Sequence, residues 1–164
     1  MTFKSLTINS GGEYAATTGT TNITGQHTAS GMGFKNLGTF THNNGLVKFT
    51  ESVESFVYCQ ESNFYDLEVD LDSNTDEFRW LESGVGLTVY NNLTITSGRF
   101  KFNTSGDAIT VHGLTNIIDG QFGLNSPSGV HTFNGLVTIE AGTWFLSSGT
   151  NNMAGIRNVG GTIS

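Results

Sequence analysis

The 164-residue chain carries a formal net charge of −7 and has a sequence pI of about 4.8. That balance argues against a nucleic-acid binder, which needs a basic footprint, and against a protein held to an anionic membrane surface. A single cysteine, Cys59, excludes an internal disulfide and a Cys-based zinc site, while 12 Phe, 2 Trp and 4 Tyr supply core material that a disordered chain lacks.

The N-terminus, Met1-Thr-Phe-Lys-Ser-Leu-Thr-Ile8, has no basic region followed by an apolar run, so no signal peptide is expected. No apolar run approaches the length of a membrane-spanning helix. Gly, Thr, Asn and Ser interrupt every helical periodicity, so strands are expected throughout. In chain order, Leu6-Thr-Ile8, Leu67-Glu-Val69-Asp-Leu71, Phe78-Arg-Trp80, Leu87-Thr-Val89, Leu93-Thr-Ile95 and Phe100-Lys-Phe102 alternate apolar and polar residues. Asn44-Gly45 is a tight-turn signal, because both residues tolerate positive φ. Phe3-Lys-Ser-Leu6-Thr-Ile8 matches Phe64-Tyr-Asp-Leu67-Glu-Val69, which predicts two turns of roughly 30 residues across the N-terminal half.

From Asn92 onward one phrase returns. Leu93-Thr-Ile95-Thr-Ser-Gly98-Arg-Phe100-Lys-Phe102 comes back as Ile117-Ile118-Asp-Gly120-Gln-Phe122 and as Leu136-Val-Thr-Ile139-Glu-Ala-Gly142-Thr-Trp144-Phe-Leu146. A worn copy, Ile156-Arg-Asn-Val159-Gly-Gly161-Thr-Ile163, follows. The glycines are 22, 22 and 19 residues apart, and Val111 and Phe133 keep the 22-residue step. A unit this short cannot bury its own apolar face, but stacked copies can. The predicted fold is therefore all-β: a β-solenoid, read as a right-handed parallel β-helix from the preferred hand of parallel crossovers. Its alternative is an antiparallel β-sandwich. One domain, 1–164, is expected, with irregular longer coils over 1–90, an acidic insert at 51–82, and regular coils of 22 residues over 91–164. Leu93, Ile95, Phe100, Phe102, Val111, Leu114, Ile117, Phe122, Phe133, Leu136, Ile139, Trp144, Leu146 and Ile156 should point inward. Gly98, Gly120, Gly142 and Gly161 should share one corner.

The run Leu37-Gly-Thr-Phe40-Thr-His42-Asn-Asn-Gly45-Leu-Val-Lys-Phe49, followed by Phe64-Tyr-Asp-Leu67-Glu-Val69, resembles the Gly-Thr-Phe-Thr-His-Asn-Asn-Gly … Phe-Tyr-Asn-Leu-Thr repeats of bacterial surface proteins and of tailed-phage virion proteins. Asp66 and Glu68 depart from it, standing where those repeats usually carry Asn and Thr. The resemblance implies a passive solenoid and brings no catalytic residues.

Eight of the 14 carboxylates, among them Glu61 and Glu82, lie between residues 61 and 82, where Arg79 is the sole base. Asp66, Glu68, Asp70 and Asp72 would share one face of a strand. They read first as a solvated wall, then as a partner contact, then as a weak Ca²⁺ candidate. Asp107, Asp119 and Glu140 are the acids of the regular half, and a pair of carboxyls is what glycoside hydrolysis needs. Beside corner glycines, though, polar turn residues are expected anyway. His27, His42, His112 and His131 lack metal-ligand spacing and read as turn or surface residues. Cys59 reads as a buried structural thiol. No cofactor is expected.

The resulting expectation is a structural virion protein: a capsid-decoration, tail or fibre module that acts by assembly and not catalysis. Its partners would be other virion proteins or copies of itself, a homotrimer included. Ile156 and Ile163, in the worn last copy, are the expected end-to-end contacts. The alternatives are a segment of a bacterial surface adhesin, and a carbohydrate-binding or polysaccharide-cleaving β-helix with Trp80, Trp144 and Tyr90 as sugar platforms.

Overall fold

The computed structural model describes residues 1–50, 54–59, 63–81, 86–102, 107–124, 128–146 and 148–164. Among them there is no helix, and every strand pairing is parallel. The chain winds as a three-walled parallel β-solenoid, as the repeats predict. Among the described residues no helix is long and apolar enough to cross a membrane.

The first wall holds Thr2–Phe3, Thr20–Ile23, Leu46–Phe49, Asp66–Asp70, Leu93–Ser97, Thr115–Ile117 and the C-terminal parts of His131–Ile139 and Asn151–Asn158. The second holds Leu6–Ile8, Met32–Asn36, Ser55–Cys59, Glu77–Trp80, Arg99–Phe102, Gln121–Leu124, Thr143–Trp144 and Thr162–Ile163. The third starts with Glu13–Ala15 paired to Thr39–Thr41. It continues through Asn63–Phe64, Leu87–Val89, Ile109–Val111 and the N-terminal parts of the two long strands. Ring contacts from Tyr14 to Phe40 (6.1 Å) and from Phe40 to Phe64 (5.9 Å) carry this column between its two sheets.

Register along the first wall pairs Thr2 with Asn22, Thr20 with Leu46, Leu46 with Asp66, Leu67 with Leu93, Leu93 with Thr115, Thr115 with Val137 and Val137 with Ile156. The steps are 20, 26, 20, 26, 22, 22 and 19 residues. The N-terminal half is thus built of 20- and 26-residue coils, not of two turns of 30. Phe3 pairs with Ile23 on the first wall, whereas Phe64 pairs with Val89 on the third, so the two matching phrases are not equivalent in space.

Between the coil that starts at Val69 and the coil that starts at Ile95, the difference in length goes into one corner. The chain takes nine residues from Val69 to Phe78 but five from Ile95 to its register mate Phe100. In the regular coils this corner narrows to the expected glycine column. Gly98 turns the chain at φ +86°, in the region that glycine adopts without steric cost. At Asn43-Asn44-Gly45 the positive φ angles fall on Asn43 and Asn44. Gly45 is needed instead for close packing against the Thr17 carbonyl.

The core is a set of columns with one side chain per coil. Phe3, Ile23, Phe49, Val69, Ile95, Ile117 and Ile139 follow one another on the first wall. Phe78, Phe100, Phe122 and Trp144 do so on the second. Ring centroids of Phe78 and Phe100 lie 4.6 Å apart, and those of Phe100 and Phe122 5.2 Å, close to the spacing of adjacent strands. Ten of the expected inward residues are buried, but Leu114, Leu136, Leu146 and Ile156 are not. Counting back by two from Ile117 and Ile139 reaches Thr115 and Val137, which fill the inward slot, so Leu114 and Leu136 point to solvent. Leu146 lies beyond the end of Thr143–Trp144. Ile156 does stand in the column above Val137, but it is exposed there.

Candidate functional site

The acidic row is balanced by a cation from another coil. On Asp66–Asp70 the side chains of Leu67 and Val69 go inward, which turns Asp66, Glu68 and Asp70 outward. Register sets Glu68 beside Lys48 of the preceding coil. The Lys48 ammonium meets Glu68 at 2.9 Å and Asp70 at 2.7 Å. Burial opposes its charge, but hydrogen bonds to Asp70 and Glu68 prevail and raise its pKa above the usual lysine value. Asp66 accepts hydrogen bonds from the Asn91 side chain and the Asn92 backbone, both at 2.9 Å. Asp72 is exposed in the wide corner after the strand, off the shared face. The row reads as a self-paired wall, and among the described residues no group of three His, Cys, Asp or Glu is placed to hold a metal ion.

A second charge cluster lies on the next wall. Glu77 accepts hydrogen bonds from Lys101 and Arg79, and Arg99 stands 3.8 Å from it. Arg79 also reaches Glu54. Burial works against the Glu77 carboxylate, yet Lys101 and Arg79 hold its pKa below the ordinary carboxylate value. The described strands of the segment 51–82 are ordinary rungs, and much of its charge is matched by neighbouring coils. Glu51, Glu61 and Glu82 lie outside the described residues.

The acids of the regular half differ in burial. Asp107 is fully buried. Asp119 is exposed and accepts a hydrogen bond from Asn74 at 3.3 Å, and Glu140 is exposed beside the next corner. His131 is a core residue, contrary to its reading as a turn residue. It occupies the inward slot between Ile109 and Asn151 and stacks on Phe102 at 5.1 Å. Burial pushes its pKa down to about 4, against a hydrogen bond with the Asp107 backbone that favours the charged form. Cys59 is buried, as expected.

Trp80 and Trp144 are fully buried and offer no platform. Tyr90 is 47% exposed and belongs to a row that the sequence reading missed. His42 stacks on Tyr65 at 5.6 Å and meets Tyr90 at 5.5 Å; Tyr90 stacks on His112 at 5.8 Å, with the planes 8° apart. His112 Nδ1 lies 3.1 Å from the Asn134 amide nitrogen. Tyr90 and His112 each follow the last strand residue of their rung, Asn134 holds the matching place after Phe133 within His131–Ile139, and the three keep the 22-residue step. That recurrence was the available signal. His42, Asn44, Tyr65 and Tyr90 line a shallow pocket of about 450 Å³.

The last coil is the other unusual surface. Met153, Ile156 and Ile163 extend the columns of Phe133, Val137 and Trp144, and they are exposed. Asn158 closes a fourth column with a polar side chain, whose oxygen and nitrogen bond the backbone of Gly161.

No family model matches the chain, and comparison with curated proteins and with solved structures returned no match.

Proposed function

We propose that the chain is a structural module of a tailed-phage virion. It serves as a stiff β-solenoid element of the capsid surface, tail or fibre, and it works by assembly with other virion proteins or with copies of itself. The observation that supports assembly is the surface of the last coil. Ile156 is 44% exposed and Ile163 40% exposed, each directly above a buried core residue. Among the described residues, Asn151–Asn158 and Thr162–Ile163 pair on one edge alone. A further parallel coil on this surface, whether of following chain, a partner or a second copy, would satisfy the edge amides and bury the apolar row. The virion setting is supported by the resemblance of Leu37–Phe49 and Phe64–Val69 to phage and surface-protein repeats.

Two measurements test this reading. The 164-residue polypeptide is expected to self-associate in analytical ultracentrifugation, and Ile156→Asp with Ile163→Asp to yield monomers of unchanged strand content. A stable wild-type monomer at high concentration would count against assembly through this end. In the encoding genome, capsid, portal or tail genes are expected alongside, and the polypeptide should be detected in purified particles. A parent gene with a signal peptide and many further repeats would support a bacterial surface adhesin instead.

A further inference from the structure

We propose that the row His42, Tyr65, Tyr90 and His112 is a binding platform for an uncharged, extended oligosaccharide lying along the solenoid axis. Four consecutive coils each contribute one ring at the same edge of the third wall, and three of the ring pairs have centroids 5.5–5.8 Å apart. Linked through Tyr90, the ring centres of His42 and His112 lie at most about 11 Å apart, the length of a short run of sugar units and not of a point ligand. Tyr90 is the sole aromatic residue among the large exposed apolar side chains of the described residues. An exposed Tyr90 beside the half-buried Tyr65, both next to polar groups, suits a partner with apolar C–H faces and many hydroxyls. The ring bodies cover the C–H faces. The Tyr hydroxyls, the Asn44 side chain and the Asn134 amide at the far end are the hydrogen-bonding groups. The pocket of about 450 Å³ between His42, Asn44, Tyr65 and Tyr90 is of ligand-site size and would take the first sugar units.

Charge narrows the occupant. The chain's net charge of −7, with Asp66 next to Tyr65, disfavours nucleic acids and acidic polysaccharides. A small organic cation would need rings converging on one point, as in an aromatic cage. Here His42 stacks on Tyr65 and Tyr90 on His112, with planes 27° and 8° apart, a layered arrangement and not the walls of a cage.

The test is isothermal titration with maltohexaose, cellohexaose and mannohexaose, alongside affinity electrophoresis in gels containing dextran, starch and galactomannan. The oligonucleotide (dT)12 serves as the nucleic-acid arm. Wild-type protein is expected to bind at least one neutral glycan. Tyr65→Ala and Tyr90→Ala should each weaken that binding about tenfold or more at unchanged melting temperature. His112→Ala should weaken a hexasaccharide but not a disaccharide, because it sits at the far end of the row. Absence of binding to every glycan, equal binding by the tyrosine variants, or tighter binding of (dT)12 would each overturn the proposal.

Discussion

Gly120 sits directly over Gly98, so close that a β-carbon on Gly120 would lie 2.8 Å from the Gly98 carbonyl oxygen and 2.5 Å from the Ile95 Cγ2 methyl. The same carbonyl accepts the Gln121 amide at 2.8 Å, so the contact is part of the ladder between coils. Gly120→Ala should therefore cost about 1–3 kcal/mol through overpacking. Gly19→Ala, whose added carbon meets nothing nearer than 3.7 Å, is the near-neutral control. Urea melts of the two variants check the contrast, and equal stabilities would remove steric crowding as the reason for glycine at this corner.

Thr115 fills an inward slot between Leu93 and Val137, and its buried hydroxyl has no hydrogen-bond partner among the described residues. Thr115→Val keeps the shape and removes the stranded polar group. It should stabilise the fold by about 1 kcal/mol. A loss of stability in chemical denaturation would mean that the hydroxyl is satisfied in solution.

His131 ties stability to pH. Its folded pKa of about 4 lies below the ordinary value of 6.5, so between these values the unfolded chain binds a proton that the native chain excludes. The contribution is complete above pH 6.5, is lost as pH falls towards 4, and is constant below that. The span corresponds to about 3 kcal/mol. Denaturation free energies of wild type and His131→Leu, measured from pH 8 to pH 4, should diverge in this window. Parallel curves would show that His131 does not titrate as an isolated buried group.

Glu77 faces Lys101, Arg79 and Arg99, and its side chain is only 14% exposed. Glu77→Gln leaves three cations without their common partner and should destabilise by about 1–3 kcal/mol, between exposed and buried pairs. The cost should shrink in 1 M salt as screening relieves the repulsion (roughly a 3 Å Debye length). Because the Glu77 pKa is lowered, its contribution is present above the ordinary carboxylate value and is lost as pH falls through the folded pKa. A salt-independent cost would assign the effect to packing.

What the sequence revealed, and what it hid, follows from the period of the strands. Alternation of two fixed the inward residues of Leu93–Ser97 and Arg99–Phe102, and the glycine step located the corner. The same alternation recurs on all three walls, so a phrase such as Phe3-Lys-Ser-Leu6 is locally indistinguishable from Phe64-Tyr-Asp-Leu67, although their strands pair on different walls. Leu114 and Leu136 misled because apolar character outweighed parity, while the inward slot went to Thr115 in one coil. Lys48 meets Glu68 and Asp70, and Lys101 meets Glu77, over separations that only coil length reveals, and coil length is the quantity that varies. The tryptophans drew attention as sugar platforms because of their type. Burial is decided by position in the column, and it was Tyr90, placed just after a strand, that remained outside.

The corner between Val69 and Phe78 has a consequence for how such a chain changes over generations. Residues added there widen the rod without lengthening it, since height is set by the spacing of hydrogen-bonded strands, about 4.8 Å per coil. Girth and reach are thus separately adjustable. A lineage can graft new surface at a corner, as Asn74 already does by leaning across to Gly98 and Asp119, while the distance between the two ends of the rod stays the same.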